Sequence, residues 1–177
     1  MALIIENGSI VTGAESYVSV TDADTYHLNR GNSIWKTSSV TAKEAALRKA
    51  TSFVDNYYIN RWKGMRTAIS QPLQWPRQYV MQYEEYARAG YAQTPVYIES
   101  NVIPNELKYA ICEAALRSLT TELLPDLDRG GKVKRVTIGP ITEEYTDGAP
   151  ATTTFTMIET LLSTLITAKN ISTVVRA

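Results

Sequence analysis

Thr41-Ala-Lys-Glu-Ala-Ala-Leu-Arg-Lys-Ala-Thr-Ser-Phe-Val-Asp-Asn-Tyr-Tyr-Ile-Asn-Arg-Trp62 is the stretch that decides the fold. Leu47, Ala50, Val54, Tyr57 and Arg61 recur at spacings of three and four, and Phe53 and Tyr58 widen the stripe into a helix face that must be covered. Thr41 with Glu44 has the form of a capping box, each side chain able to satisfy an orphan amide of the first turn. Gly64 stands where such a helix stops. The pattern predicts a helix over about 42–62, too amphipathic to stand alone, and hence a packed helical domain.

Working toward the N-terminus, Leu3-Ile4-Ile5 and Tyr17–Val20 are β-prone and punctuated by Asn7-Gly8 and Thr12-Gly13. A first helix is expected after Thr21 as N-cap, with Asp22 and Asp24 in its first turn and Gly31 at its exit. Residues 32–40 read as a polar loop carrying Trp35.

Toward the C-terminus, Pro72, Pro76, Gly90 and Pro95 break up residues 64–103. This middle segment is aromatic-rich, and Gln78–Ala89 can form one short helix with Tyr79, Tyr83 and Tyr86 on a common face. Pro104 suits position N1 of a third helix whose stripe is Leu107, Ile111, Ala114, Leu119 and Leu123, ended by Pro125. Lys132–Ile138 and Ile141–Tyr145 read as a hairpin turning at Gly139-Pro140. A last helix is expected over about 155–168, and Asn170–Ala177 reads as a strand-prone tail. The fold class is therefore mainly α: a small helical bundle with one β-hairpin and extended middle and C-terminal segments. Residues 1–168 are expected to form one α-rich domain and 169–177 a C-terminal tail, for which the resemblance given below implies docking.

The composition excludes several functions. The 177 residues carry 18 Lys plus Arg against 18 Asp plus Glu, for a net charge of zero, whereas proteins that hold nucleic acid electrostatically carry a basic excess. One cysteine, Cys112, excludes an internal disulfide framework and a thiolate zinc site, and one histidine, His27, excludes paired-histidine metal motifs. No stretch is long and apolar enough for a membrane span, and Met1–Glu6 has no basic signal region, so a soluble, reducing compartment is expected. Cys112 sits on an apolar helix face and lacks a nucleophile motif. Asp126-Leu-Asp128 with Arg129-Gly-Gly131 follows a helix instead of preceding one, the wrong order for a phosphate cradle. Glu84-Glu85 and Glu143-Glu144 are adjacent, so each pair points two ways. No enzyme and no cofactor is expected.

Two groups remain as candidate contact residues. Tyr57, Tyr58, Arg61, Trp62, Lys63, Arg66, Trp75, Arg77 and Tyr79 mix the aromatic and basic types that stack on bases and neutralise phosphates, although Tyr57 and Trp62 also lie on or near the helix stripe. Arg129, Lys132, Lys134 and Arg135 form a second basic cluster. A single-stranded DNA-binding protein stacking bases on Tyr57, Tyr58, Trp62 and Trp75 is one reading. A protein that binds protein is the other.

Several strings in order carry a resemblance: Ser16-Tyr-Val-Ser-Val-Thr-Asp-Ala-Asp-Thr-Tyr-His27 with Arg30-Gly31; Lys43–Thr51 running to Arg61-Trp-Lys-Gly64; Leu73-Gln-Trp-Pro-Arg77; Ile103-Pro104; and Leu123-Leu-Pro-Asp126 with Lys132–Ile138, Gly139-Pro140 and Glu144-Tyr145. Together they make the chain resemble the head–tail connector adaptors of tailed phages, a family often labelled as DnaT-like single-stranded-DNA-binding proteins. The resemblance covers residues 3 to about 165. It implies a virion structural protein, made in the bacterial host cytoplasm and placed at the capsid–tail junction. Its partners would be the portal protein, a head-completion (stopper) or tail protein, and further copies of itself in a ring, usually of twelve. DNA would pass through as cargo, with no membrane and no catalytic residues. On this chain the portal-docking segment would be Lys169, Asn170, Ile171, Ser172, Thr173, Val174, Val175, Arg176 and Ala177. Ring or channel contacts would fall to Arg129, Lys132, Lys134 and Arg135.

Overall fold

A computed structural model describes residues 2–82, 96–126, 135–144 and 153–168, the two strands within 135–144 through their backbone. Among these residues the elements run α1 (Val20–Leu28), α2 (Ser33–Thr37), α3 (Val40–Tyr57), β1 (Met65–Arg66), β2 (Arg77–Gln78), α4 (Asn105–Ser118), β3 (Arg135–Ile138), β4 (Ile141–Glu144) and α5 (Thr156–Leu162). The fold is mainly α, as the periodicity predicts, with two small antiparallel ribbons, β1–β2 and β3–β4.

The centre is α3 against α4, with α5 on the other side of α4 and α1 across both α3 and α4. Leu47, Ala50 and Val54 of α3 meet Leu107, Ile111 and Ala114 of α4, all fully buried, and Ile158 and Leu162 close the layer from α5. Each buried Leu, Ile or Val stabilises the fold by about 1.5–3 kcal/mol. Cys112 is buried in the same layer, and burial pushes its thiol up to about 12, so it packs as a small hydrophobe.

The structure moves several boundaries. The N-cap of α3 is Ser39, whose hydroxyl accepts from the Ala42 amide, and not Thr41; α1 is likewise capped by Ser19 and not Thr21, with Ser19 accepting from Asp22. Residues 33–37 form a helical turn where a loop was expected, because Trp35 turns inward and its indole N–H donates to Asp24 Oδ1 at 2.7 Å. Pro104 is the N-cap of α4, one position before N1. α4 stops at Ser118 because Ser118, Thr120 and Thr121 turn their hydroxyls onto the carbonyls of Ala115 and Arg117.

α3 ends at Tyr57 and α5 at Leu162, both shorter than expected, and for a shared reason. Residues 61–63 and 165–167 meet through the isolated antiparallel Trp62–Ile166 bridge, with Lys63 N donating to Leu165 O (3.0 Å) and Thr167 N to Arg61 O (2.7 Å). The Lys63 and Thr167 amides thereby bond across the bridge instead of within a helix.

The expected helix over Gln78–Ala89 does not form in its described part. Gln78 lies in β2, Tyr79 has φ +63°, and Met81 bridges Tyr97. Its remainder, from Tyr83, lies outside the described residues. The hairpin turns at Gly139-Pro140 as predicted, in the register Arg135–Glu144 to Ile138–Ile141. No described helix is long and apolar enough to cross a membrane.

Candidate interaction site

The aromatic residues proposed to stack on DNA are placed first by their burial. Tyr58, Trp62 and Trp75 are buried, and Tyr57 is half-buried against Phe53 and Tyr58. Trp62 meets Trp75 edge-on at 6.0 Å between centroids, and Tyr58 meets Trp62 at 6.3 Å. These rings form a wall of the core into which residues 64–82 send Trp75, so no base can reach the faces of Tyr58, Trp62 or Trp75 without unfolding that wall. The reading of this cluster as core is the one the geometry supports. Arg61 is committed as well: it reaches Glu159 (3.0 Å) and the Thr167 carbonyl.

What the wall carries is a protruding loop held from inside by polar groups. Asp55, on the buried side of α3, accepts the Tyr17 hydroxyl on both oxygens at 2.8 Å and the Gln74 amide at 3.0 Å. Tyr17 Oη in turn accepts the Trp75 amide at 3.0 Å. Arg77 donates to the carbonyls of Lys63 (2.8 Å), Gly64 (2.9 Å) and Gln74 (3.2 Å). Gln71, only 2% exposed, accepts from Ala68 N and donates to the Leu73 and Pro76 carbonyls, while the Arg66 guanidinium donates to the Gln71 carbonyl. Thr67 ties the loop sideways to the Ser100 carbonyl.

The electrostatics follow from this burial. Asp55 is raised from 3.8 to about 6 because desolvation outweighs the Gln74 amide, the Tyr17 hydroxyl and the Arg77 and Arg66 charges that favour its ionised form. Tyr17 is driven well above its ordinary value by desolvation and by Asp55, and burial lowers Arg77. Gly64 makes the close turn possible. Its φ is +65°, and a Cβ there would lie 2.3 Å from the Gln78 carbonyl oxygen.

At the tip the loop presents Ile69, which is 99% exposed. Met65, Tyr79 and Tyr97 are exposed nearby in sequence or pairing, with the Tyr79 and Tyr97 rings in edge contact at 6.0 Å. A second feature is a groove of about 440 Å³ between α3 and the exit of α4, lined by Phe53, Leu123 and Leu124 among charged and polar side chains that include Arg48, Lys49 and Glu122.

The sequence-predicted contact residues fall largely elsewhere. Lys169–Ala177 and Arg129, Lys132 and Lys134 lie outside the described residues, and Arg135 opens β3 opposite Glu144. His27 is fully buried between Tyr26 and Trp35, with Nδ1 accepting the Asn32 amide at 2.9 Å, and burial lowers its pKa. It serves the core. No group of three or more potential metal ligands occurs among the described residues.

Fold and site together define a small mainly-α protein that spends its aromatic and buried polar residues on holding a rigid surface loop. The chain belongs to the family described as "Putative DnaT-like ssDNA binding protein", whose model matches residues 1–177. No curated protein matches the chain, and no solved structure does.

Proposed function

We propose that this chain is a virion structural protein: a head–tail connector adaptor that assembles as a ring below a portal, extends the DNA channel and recruits the next connector or tail component, without catalytic activity. The observation that carries the reading is the pairing of a stiff, apolar-tipped loop with an aromatic wall sealed inside the core. A rigid surface with exposed apolar side chains suits protein contact, since little freedom is lost on docking. Zero net charge suits a channel that must let DNA pass without holding it. In this reading Lys169–Ala177 docks on the portal, and Arg129, Lys132, Lys134 and Arg135 line ring or channel contacts. Light scattering on the protein alone and then with portal tests it. The expected result is a small species that joins the portal in many copies; a protein that ignores the portal overturns it.

The family description favours a second reading, single-stranded DNA binding. Among the described residues its exposed stacking groups would be Tyr79, Tyr97 and Tyr109, in place of the buried rings. Anisotropy of a labelled oligonucleotide separates the two: affinity falling steeply with salt would favour DNA, and no binding at 0.15 M salt would favour the connector.

A further inference from the structure

We infer that α1 and α2 form a clasp on the α3–α4 layer that opens in acid, ahead of the rest of the fold, because its central side chain, His27, gains a charge only by leaving its site. The inference goes beyond the connector reading and does not depend on it. His27 is fully buried, with its ring 5.2 Å from Tyr26 of α1 and 4.5 Å from Trp35 of α2. Nδ1 accepts the Asn32 amide at 2.9 Å, so the neutral ring carries its proton on Nε2, which is buried and has no hydrogen-bond partner. Protonation makes both nitrogens donors. Nδ1–H would then face the Asn32 NH2 group, and if that amide turned over to accept it, Nε2–H would still be unsatisfied.

Nor does the site offer a free counter-charge. Among the described residues His27 forms no ion pair, and the two acids that face it are taken. Asp24 is held by Lys43 (2.8 Å) and the Trp35 indole (2.7 Å), and Glu113 by Arg117 (2.8 Å) and the Tyr26 hydroxyl (3.0 Å). Arg30, just beyond α1, adds a like charge, with its guanidinium 3.6 Å over the Tyr26 ring. Lys43 of α3 is a second cation beside the cluster, 5.8 Å from the Trp35 ring. Burial therefore outweighs Glu113, the Cys112 backbone and Asp24, which favour the imidazolium.

The clasp is also the lightly held part of the helical layer. α3 packs on α4 and α4 on α5 far more extensively than α1 packs on α3 or α4, and α2 packs chiefly on α1. Among the described residues two side-chain hydrogen bonds tie the clasp to the layer, Lys43 to Asp24 and Tyr26 to Glu113. A unit with so small a footprint opens without the rest. Opening takes one proton from solvent onto His27, so it becomes more favourable by up to about tenfold for each pH unit below 6.5. Global unfolding also frees His27, but it frees Asp55 too, whose proton binding favours the folded state, so acid acts on the clasp more than on the fold as a whole.

Hydrogen exchange of the natural chain between about pH 7 and 5, corrected for the intrinsic rate at each pH, reads opening segment by segment. The amides of residues 23–37 are expected to open more as pH falls, by up to about tenfold per pH unit, and at pH 5 to open about tenfold or more beyond those of α3 and α4. Equal opening across all these helices means that the fold opens as one and overturns the inference. In His27→Gln, which stays polar but takes up no proton, the acid-driven rise is expected to vanish; a rise as steep as in the natural chain overturns the inference. A second readout needs no substitution and holds even if that variant fails to fold: the single imidazole gives one set of ring-proton resonances. As pH falls, the signal of the buried ring is expected to give way to that of a solvated imidazolium in step with lost protection over 23–37. A ring that becomes charged while those amides stay protected overturns the inference.

Discussion

The α3–α4 layer and the loop 64–82 are held by opposite means. Between the helices, small and branched apolar residues interlock, and the one polar side-chain contact between them among the described residues is the Ser118 hydroxyl on the Ala46 carbonyl at 3.4 Å. Beneath the loop, Asp55, Tyr17, Gln71 and Arg77 are buried and hydrogen-bonded to backbone groups that no regular ladder satisfies. The helical layer should therefore fail gradually with lost volume, and the loop abruptly with a lost partner.

The strongest way to break the comparison is Asp55→Ala, which leaves the Tyr17 hydroxyl and the Gln74 amide buried without their acceptor. A loss of about 4 kcal/mol is expected in urea unfolding, with amide exchange accelerated over 66–78 more than over α4. The second is pH. Because the Asp55 pKa is raised from 3.8 to about 6, the folded state favours its protonated form; its contribution is fully present below about pH 4 and is lost as pH rises through about 6. Relative to Asp55→Asn, the natural chain should lose on the order of 2 kcal/mol between pH 4 and 7. The titratable and charged groups facing Asp55 are Tyr17, Arg77 and Arg66. His27 acts in the other direction: its lowered pKa gives a contribution present above pH 6.5 that is lost as pH falls, so a pH-flat Asp55→Asn difference is what would count against the Asp55 assignment.

Gly64→Ala comes next, at about 2 kcal/mol, since the new Cβ would meet the Gln78 carbonyl in a backbone conformation that L-residues avoid. Thermal unfolding with and without the substitution checks it. The smallest effect belongs to the helical side: Ser39→Ala should cost about 1 kcal/mol and Thr41→Ala clearly less, a pair that separates the observed cap from the one the capping-box pattern suggests.

What the chain discloses before folding divides along the same line. α3, α4 and the hairpin are legible because periodicity and Gly139-Pro140 are local signals. α2 is not, since five residues are too few to show a period. The ends of α3 and α5 are not, because each is set by a partner segment about a hundred positions away. The support of the loop was not read from the sequence, although a signal exists: Thr51, Asp55 and Tyr58 continue the buried face of α3 beyond Leu47, and an acid on that face asks for donors. Glu6 shows the opposite case. It reads as the polar end of an apolar run, yet it is buried and takes the amides of Gly8, Ile10 and Val11 at 2.8–3.0 Å. Gln71 gives no signal at all, because its partners are main-chain groups that only the folded loop brings to it.

The pairing of 61–63 with 164–167 also determines how the molecule bears load. Tension applied at residue 168 meets five bonds first: Lys63 N to Leu165 O, Thr167 N and Thr167 Oγ1 to Arg61 O, Arg61 Nε to Thr167 O and Lys63 Nζ to Thr164 O. Behind them stands Trp62, wedged against Tyr58 and Trp75. A pull on that end is thus delivered to the aromatic wall before it reaches α5, and the short final helix is spared the strain.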